Sequence, residues 1–139
     1  MKVFLDANIL VTVLNKEYPV FTNAARILSL SGNSRFQLHT SPLCMAIAFY
    51  FSGKKSGNEI AKRKIALLAS RISITKTDYT TVKRTIKNKK INDFEDGLEY
   101  HSAFDAGCKV IITEDGGDFY FSEIEVIDCN GFLSKYFST

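Results

Sequence analysis

The chain has 139 residues, 45% of them hydrophobic and 24% charged, with a formal net charge of +3, values typical of one soluble globular domain. Three cysteines without CxxC spacing argue against a zinc ribbon or a disulfide framework. Cys44 and Cys108 lie among apolar residues and are predicted to be buried thiols. No apolar run approaches the ~20 residues that span a bilayer, and the early Asp6 argues against a signal peptide. We therefore predict a single cytoplasmic domain over 1–139 with no membrane contact.

The small net charge hides two opposite blocks. Between Lys54 and Lys90 there are 12 Lys and Arg residues and 2 acids, a local net charge of +10. Between Ile91 and Asp128 there are 11 acids and 1 lysine, a local net charge of −10. Solvated helix faces would explain either block alone. Together they favour a polyanion as partner of the first block and a metal ion as partner of the second.

In chain order, the apolar spacing predicts strands that alternate with helices. The predicted strands are Lys2–Leu5, Phe36–His39, Ile72–Thr75, Val110–Thr113 and Ile124–Ile127. The predicted helices run through Ile9–Leu14, Val20–Leu30, Leu43–Phe51, Asn58–Ser70, Thr77–Lys87, Asp93–Ala106 and Asn130–Phe137. Turns or loops are expected at Ser52–Gly57, Asn88–Asn92 and Glu114–Phe119. This alternation predicts an α/β fold with parallel βαβ units and helices on both faces of the sheet.

Several carboxylates lie where such folds bind ligands, beyond the carboxyl ends of the strands. They follow the first and fourth predicted strands or open the helix between them, and are Asp6, Asp93, Glu95, Asp96, Asp115 and Asp118. Each has a structural alternative, because Asp6 and Asp93 also suit helix N-caps and Asp115–Asp118 also suits a turn. Like charges gathered at one edge repel unless a cation or a shared proton offsets them. Oxygen ligands without His or Cys favour Mg²⁺ or Mn²⁺, as one ion or two.

Other chemistries find little support. His39 ends a short strand and His101 lies within a helix, and a structural role is predicted for both. No Ser-His-Asp or Cys-His pattern stands in a supporting context. No GxxxxGK[ST] or GxGxxG motif indicates a phosphate-binding loop.

Three segments resemble the motifs of PIN domains. Val3–Leu10 resembles the opening strand-Asp-x-Asn motif. Asp93–Leu98, with Ala103 and Gly107 further on, resembles the helix that carries the family's third carboxylate. Ile111–Phe119 resembles its Thr-x-Asp/Asn-x-x-Asp-Phe loop. Each motif is weak alone, but three in order along the whole chain are fairly specific.

The resemblance implies a three-layer α/β/α sandwich with a mainly parallel, Rossmann-like sheet, and a Mg²⁺- or Mn²⁺-dependent ribonuclease. It also implies a toxin of a toxin–antitoxin pair, an antitoxin partner and a homodimer. By motif match, the catalytic residues are Asp6, Asp96, Asp115 and Asp118, of which Asp6, Asp96 and Asp115 hold the metal. Asn8 and Thr113 match positions that hydrogen-bond and orient the carboxylates.

One departure concerns the helix after the second strand, where the family usually has an acidic residue. That position falls on Ile47, and no Asp or Glu occurs between Glu17 and Glu59. The missing acid therefore leaves open whether the protein binds two metal ions tightly and whether it is active. We expect Asp93 or Glu95 to compensate, with Asp93 as the further metal ligand.

The basic block is predicted to follow the RNA backbone. Its members are Lys54, Lys55, Lys62, Lys64, Lys83, Arg84, Lys87, Lys89 and Lys90. Tyr79 is a candidate for stacking on unpaired bases. The alternatives are a degenerate PIN domain that binds RNA with weak or no nuclease activity, a phospho-aspartyl phosphatase or receiver domain, and a purely antitoxin-binding or structural protein. Asn8 stands where the phosphatase requires a second Asp, and Asp6 lacks the acidic neighbour of a receiver domain.

Overall fold

The computed structural model describes residues 1–137. Its strands are β1 (Lys2–Leu5), β2 (Gln37–Thr40), β3 (Ser73–Ile74), β4 (Val110–Ile112) and β5 (Glu125–Ile127). Its α-helices are α1 (Ala7–Asn15), α2 (Phe21–Ser29), α3 (Pro42–Ser56), α4 (Asn58–Arg71), α5 (Tyr79–Lys87), α6 (Phe94–Asp105) and α7 (Cys129–Phe132). Short 3-10 helices span Leu30–Gly32 and Gly116–Phe119, and a π-helical segment spans Leu133–Phe137.

The five strands form one parallel sheet in the order β3-β2-β1-β4-β5. The central β1 pairs with β2 on one side and with β4 on the other. The strand order therefore reverses direction at β1, and the carboxyl ends of β1 and β4 lie side by side. In parallel sheets this reversal leaves a crevice in which ligands bind.

Helices cover both faces of the sheet. On one face α3 contacts α1 and α4, and α2 contacts α1 and α7, while α5 contacts α6. Right-handed crossovers that run in opposite directions along the sheet place α1–α4 and α5–α6 on opposite faces. The strands β1 and β4 between these layers are buried almost completely. The predicted three-layer α/β/α fold is confirmed, as is burial of Cys44 and Cys108 as free thiols.

The predicted turn at Ser52–Gly57 is wrong, because α3 continues through it to Ser56. Ser52 is buried, and Gly53 provides room for the next helix, since a Cβ there would lie 2.5 Å from Oδ1 of Asn58. The chain breaks only at Gly57, whose φ of +86° is a conformation that favours glycine. Ser, Gly and Lys composition indicated a turn, but packing of α3 against α1 and α4 overrides it.

The remaining elements differ from prediction by a few residues at their ends. The closing helix Asn130–Phe137 divides into α7 and the π-helical segment. The predicted loop after β4 contains the 3-10 helix Gly116–Phe119. Within residues 1–137, no helix combines the length and the apolar character that a membrane crossing requires.

Gly97 sets how closely α6 approaches α5. A Cβ at this position would lie 2.5 Å from Cγ2 of Thr85 and 2.8 Å from Cγ2 of Ile91. We expect Gly97→Ala to lower the free energy of unfolding by about 1–3 kcal/mol, the usual effect of overpacking. Urea unfolding measures it. Gly32→Ala is the control, since no atom lies within 4 Å of a Cβ there, and an equal effect of both substitutions would contradict the explanation.

Candidate metal centre

A cavity of about 380 Å³ opens beyond the carboxyl ends of β1 and β4. Seven acidic side chains contribute to its lining: Asp6, Glu17, Glu95, Asp96, Glu99, Asp115 and Asp118. The remaining lining residues are Ala7, Asn8, Val11, Thr12, Ile47 and Phe51. No lysine or arginine is among these residues, so the lining itself supplies no positive charge to balance the carboxylates.

Asp6 follows β1 directly and is buried. Its Oδ1 accepts a hydrogen bond from the backbone N–H of Ala7 at 2.7 Å, which makes it the N-cap of α1. Its Oδ2 accepts from the hydroxyl of Thr113 at 2.7 Å and from Nδ2 of Asn8 at 3.2 Å. Asp6 therefore both caps α1 and lines the cavity.

Asn8 and Thr113 join the ends of β1 and β4. Nδ2 of Asn8 also donates to the hydroxyl oxygen of Thr113 at 2.9 Å and to Oδ2 of Asp115 at 3.2 Å. The backbone N–H of Asp115 donates to Oγ1 of Thr113 at 3.0 Å, and that of Glu114 donates to Oδ1 of Asn8 at 3.2 Å. This network fixes the carboxylates of Asp6 and Asp115 relative to each other.

Asp96 reaches the cavity from the first turn of α6. Partial burial raises the pKa of Asp96 to about 7, with further contributions from the negative charges of Asp93, Asp118, Asp6 and Glu95. Burial is the larger cause of this shift, and repulsion between the carboxylates adds to it. Asp118 joins them from the 3-10 helix Gly116–Phe119.

Asp93 lies outside the lining of this cavity. Its Oδ1 accepts a hydrogen bond from the backbone N–H of Asp96 at 3.0 Å and caps α6. The structure thus brings Asp6, Asp96, Asp115 and Asp118 into one cavity, whereas Asp93 lines a neighbouring cavity that Asp96 and Asp118 share. Asp93 occupies the position of the structural alternative, a helix N-cap.

Glu99 is an acid of this cavity that the sequence reasoning did not single out. It lies in α6 and is 2% exposed. Burial, followed by the adjacent Asp6 carboxylate, raises the pKa of Glu99 to about 10. The spacing of three residues from Asp96 was the available signal, because residues i and i+3 share one face of a helix.

Ile47 of α3 lines the same cavity, at the position where PIN domains usually carry an acid. The wall of the cavity is therefore apolar at the position where the resemblance led us to expect an acid. Cys44, one turn earlier in α3, is fully buried. Burial, then the charges of Glu99 and Asp6, raises the pKa of its thiol well above the usual range.

The basic residues fall into two groups along the chain. One follows Phe51, a lining residue of the cavity, at the end of α3 and in α4. The other lies in α5 and in the segment after it, where the Tyr120 hydroxyl donates to the carbonyl oxygen of Lys90 at 2.5 Å. Tyr120 is two residues beyond Asp118 in the chain.

Three of the predicted RNA-binding side chains hydrogen-bond to, or form an ion pair with, oxygen atoms of the protein. The ammonium groups of Lys55 and Lys64 donate to the backbone carbonyl oxygens of Asn15 and Leu14 at the end of α1. Arg84 forms an ion pair with Asp105. Lys54, Lys62, Lys83, Lys87, Lys89 and Lys90 are exposed.

His39 and His101 lie outside the cavity lining. His39 Nδ1 lies 3.1 Å from the carbonyl oxygen of Gln37, and burial lowers the pKa of both imidazoles. This agrees with the structural role predicted for them.

Comparison with known proteins decides the family. A family model for the PIN domain matches residues 2–116. The chain belongs to the PIN-domain family. Ribonuclease VapC1 of Aquifex aeolicus (strain VF5) is 29% identical to this PIN domain over 144 residues, which cover 97% of this chain and 95% of that protein.

Solved structures share the fold of this PIN domain. VapC20 of Mycobacterium tuberculosis, a toxin that cleaves the sarcin-ricin loop, has a TM-score of 0.70 at 13% identity and covers 89% of this chain and 98% of its own. VapBC2 of Rickettsia felis, bound to a DNA fragment from its promoter, has a TM-score of 0.67 at 19% identity and covers 92% of this chain and 98% of its own.

The raised pKa values of Asp96 and Glu99 predict a pH-dependent stability. Both exceed the ordinary values of 3.8 and 4.5, so the folded protein binds more protons than the unfolded chain above about pH 4. Stability contributed by the protonated acids is therefore lost as pH rises. In EDTA, the free energy of unfolding of the unsubstituted protein should fall between pH 5.5 and pH 8 by about 1–3 kcal/mol more than that of Glu99→Gln. One proton contributes at most about 1.4 kcal/mol per pH unit to such a difference.

Urea unfolding at the two pH values measures this difference. Glu123→Gln is the matched control, because Glu123 is exposed and lies outside the acidic cavity. The same pH response in both variants would show that Glu99 does not carry the effect.

Proposed function

We propose that this PIN domain is a metal-dependent endoribonuclease that hydrolyses RNA phosphodiester bonds with Mg²⁺ or Mn²⁺. The observation that carries the proposal is the acidic cavity, in which Asp6, Asp96, Asp115 and Asp118 meet from separate elements of the chain. The ribonuclease VapC1, 29% identical over nearly the whole chain, supports the reaction class.

The donor set suits a hard divalent ion. The cavity offers carboxylate oxygens and the amide of Asn8, ligands that Mg²⁺ and Mn²⁺ prefer. Burial, and after it the negative charges of the neighbouring acids, raises the pKa of Asp96, and a bound cation would relieve that repulsion. When bound, one or two such ions polarise the scissile phosphate and activate the attacking water. One ion or two are compatible with this many carboxylates.

The protein's own residues prepare the site. Asp6, Asp96 and Asp115 are the proposed metal ligands, and Asp118 either joins them or orients the attacking water. Asn8 and Thr113 hold Asp6 and Asp115 through their hydrogen bonds and so spare the site a rearrangement during the reaction. We assign Asp93 to capping α6, which positions Asp96.

RNA binding is proposed for the exposed lysines on either side of the cavity. A backbone that follows Lys54 and Lys62 on one side and Lys83, Lys87, Lys89 and Lys90 on the other would cross the carboxylates between them. Lys55 and Lys64 serve first to bind the carbonyl groups at the end of α1. Tyr79 is 73% exposed beside Lys83 and remains a candidate for base stacking.

We further propose that the protein is the toxin of a toxin–antitoxin pair, acting in the cytoplasm as one domain. The toxin VapC20 and the VapBC2 complex share its fold. Exposed apolar residues on α3 and α4 provide surface for an antitoxin: Tyr50, Phe51, Ile60 and Leu67. Phe51 also lines the acidic cavity, so a partner bound there would lie beside the site. The homodimer stays a prediction, which sedimentation equilibrium tests.

The alternative is an RNA-binding module with weak or no nuclease activity. The observation in its favour is Ile47, an apolar residue in the cavity wall where the family usually places an acid. Salt-sensitive RNA binding without cleavage would establish it.

We expect the purified protein to cut a pool of single-stranded and structured RNA in Mg²⁺ or Mn²⁺ and to be inactive in EDTA. Asp6→Asn and Asp115→Asn should each lower the cleavage rate by at least about 100-fold, because each removes a proposed ligand. Glu59→Gln, an exposed acid in α4 outside the cavity, should retain activity.

Cleavage is measured by the appearance of new RNA ends on denaturing gels. Activity that persists in EDTA, or that survives Asp6→Asn, would overturn the metal-dependent nuclease. RNA binding without any cleavage would leave the binding-only alternative.

Induced expression in a bacterial host tests the toxin proposal. We expect growth arrest that Asp6→Asn abolishes at an equal level of soluble protein, since the arrest would depend on RNA cleavage. Normal growth with abundant, active protein would contradict a toxin role while leaving the nuclease intact.

A further inference from the structure

Glu99 is a buried carboxylate for which the protein provides incomplete hydrogen bonding. Its side chain is 2% exposed, and among the residues that the structure describes its Oε2 has no hydrogen-bond partner. Leaving a buried polar oxygen unpaired is costly unless something else binds it. Glu99 also lines the acidic cavity, so a small movement of its buried side chain would bring Oε2 to a partner bound there.

The spacing of neighbouring groups fits a cation as that partner. The ligand atoms of Asp6, Cys44 and Glu99 all lie within 4.8 Å of one another. Two oxygens that bind one Mg²⁺ at about 2.1 Å are at most about 4.2 Å apart, so little movement would bring Asp6 and Glu99 onto one ion. Hard ions select the two carboxylates over the sulfur of Cys44.

The position of Glu99 also answers the departure at Ile47. Cys44 and Ile47 both belong to α3: the thiol of Cys44 lies within 4.8 Å of the Asp6 carboxylate, and Ile47 lines the cavity. Glu99 reaches this part of the cavity from α6, on the same helix face as Asp96. The Glu99 carboxylate thus lies close to α3, although α3 itself contains no acidic residue.

We propose that Glu99 is a ligand of the divalent ion and supplies from α6 the carboxylate that α3 lacks at Ile47. The inference rests on the proposed metal-dependent function. It replaces Asp93 as the compensating acid, since Asp93 caps α6 outside the cavity lining.

Isothermal titration of MnCl₂ into the EDTA-stripped, dialysed full chain at pH 7.5 tests the proposal without RNA. We expect Glu99→Gln to weaken Mn²⁺ binding by at least tenfold. Glu95→Gln makes the same charge change on the same helix and in the same cavity, but at an exposed side chain. It should stay within about threefold of the unsubstituted protein, as should Cys44→Ser.

A rescue variant separates ligation from a structural role. In the Glu99→Gln background, Ile47→Glu should restore Mn²⁺ affinity to within about threefold of the unsubstituted protein, because it returns a carboxylate to the usual position in α3. A residue that merely stabilises the fold would not be replaced from another helix. Far-UV circular dichroism verifies folding, and Glu99→Asp, which keeps the charge, should bind Mn²⁺ better than Glu99→Gln.

Equal Mn²⁺ affinity of Glu99→Gln and the unsubstituted protein would overturn this inference, and metal-dependent RNA cleavage by the unsubstituted protein would then leave the proposed function standing. An equal loss in Glu95→Gln would also overturn it, since the loss would follow the total charge of the cavity. Absence of Mn²⁺ binding to the unsubstituted protein would overturn the proposed function and the inference together.

Discussion

Repulsion between carboxylates is the constraint on which the rest of this structure depends. Seven acids line one cavity, and neither lysine nor arginine is among its described lining residues. Burial and the neighbouring carboxylates raise the pKa values of Asp96 and Glu99, so both acids hold their protons more tightly than exposed carboxylic acids do. The proposed cation would reduce the repulsion between these carboxylates, and without it the fold bears the free-energy cost of holding them together.

The parallel sheet meets that cost by fixing the carboxylates from several directions. β1 and β4 are neighbours, so the residues directly after them lie close enough for Asn8 and Thr113 to bond to Asp6 and Asp115. α6 adds the carboxylates of Glu95, Asp96 and Glu99 to the cavity at this edge of the sheet. Its close approach to α5 depends on Gly97, the residue directly after Asp96.

The two charge blocks have different places in the molecule. Part of the acidic block lines the cavity, and the basic block lies on α3, α4 and α5 and in the segment after α5. Part of the basic block is structural, since Lys55 and Lys64 bind the carbonyl oxygens at the end of α1, where a cation is favoured by the helix dipole. Other lysines of the block are exposed, and the proposed binding of RNA would use these. The fold and the proposed RNA binding would therefore depend on different members of one charge run.

The sequence alone determined the strand positions, the α/β class and the gathering of Asp6, Asp96, Asp115 and Asp118, because strand alternation and chain order decide which residues stand at the carboxyl end of each strand. It also located the absence of an acid at Ile47. It singled out Asp93 and Glu95 but not Glu99, and it divided α3 too early. Both outcomes depend on packing. Which face of α6 meets the cavity, and whether Ser52 and Gly53 are buried against neighbouring helices, depend on contacts between residues distant in the chain. Only the tertiary structure decided them, since burial and helix orientation are properties of the assembled layers rather than of local composition.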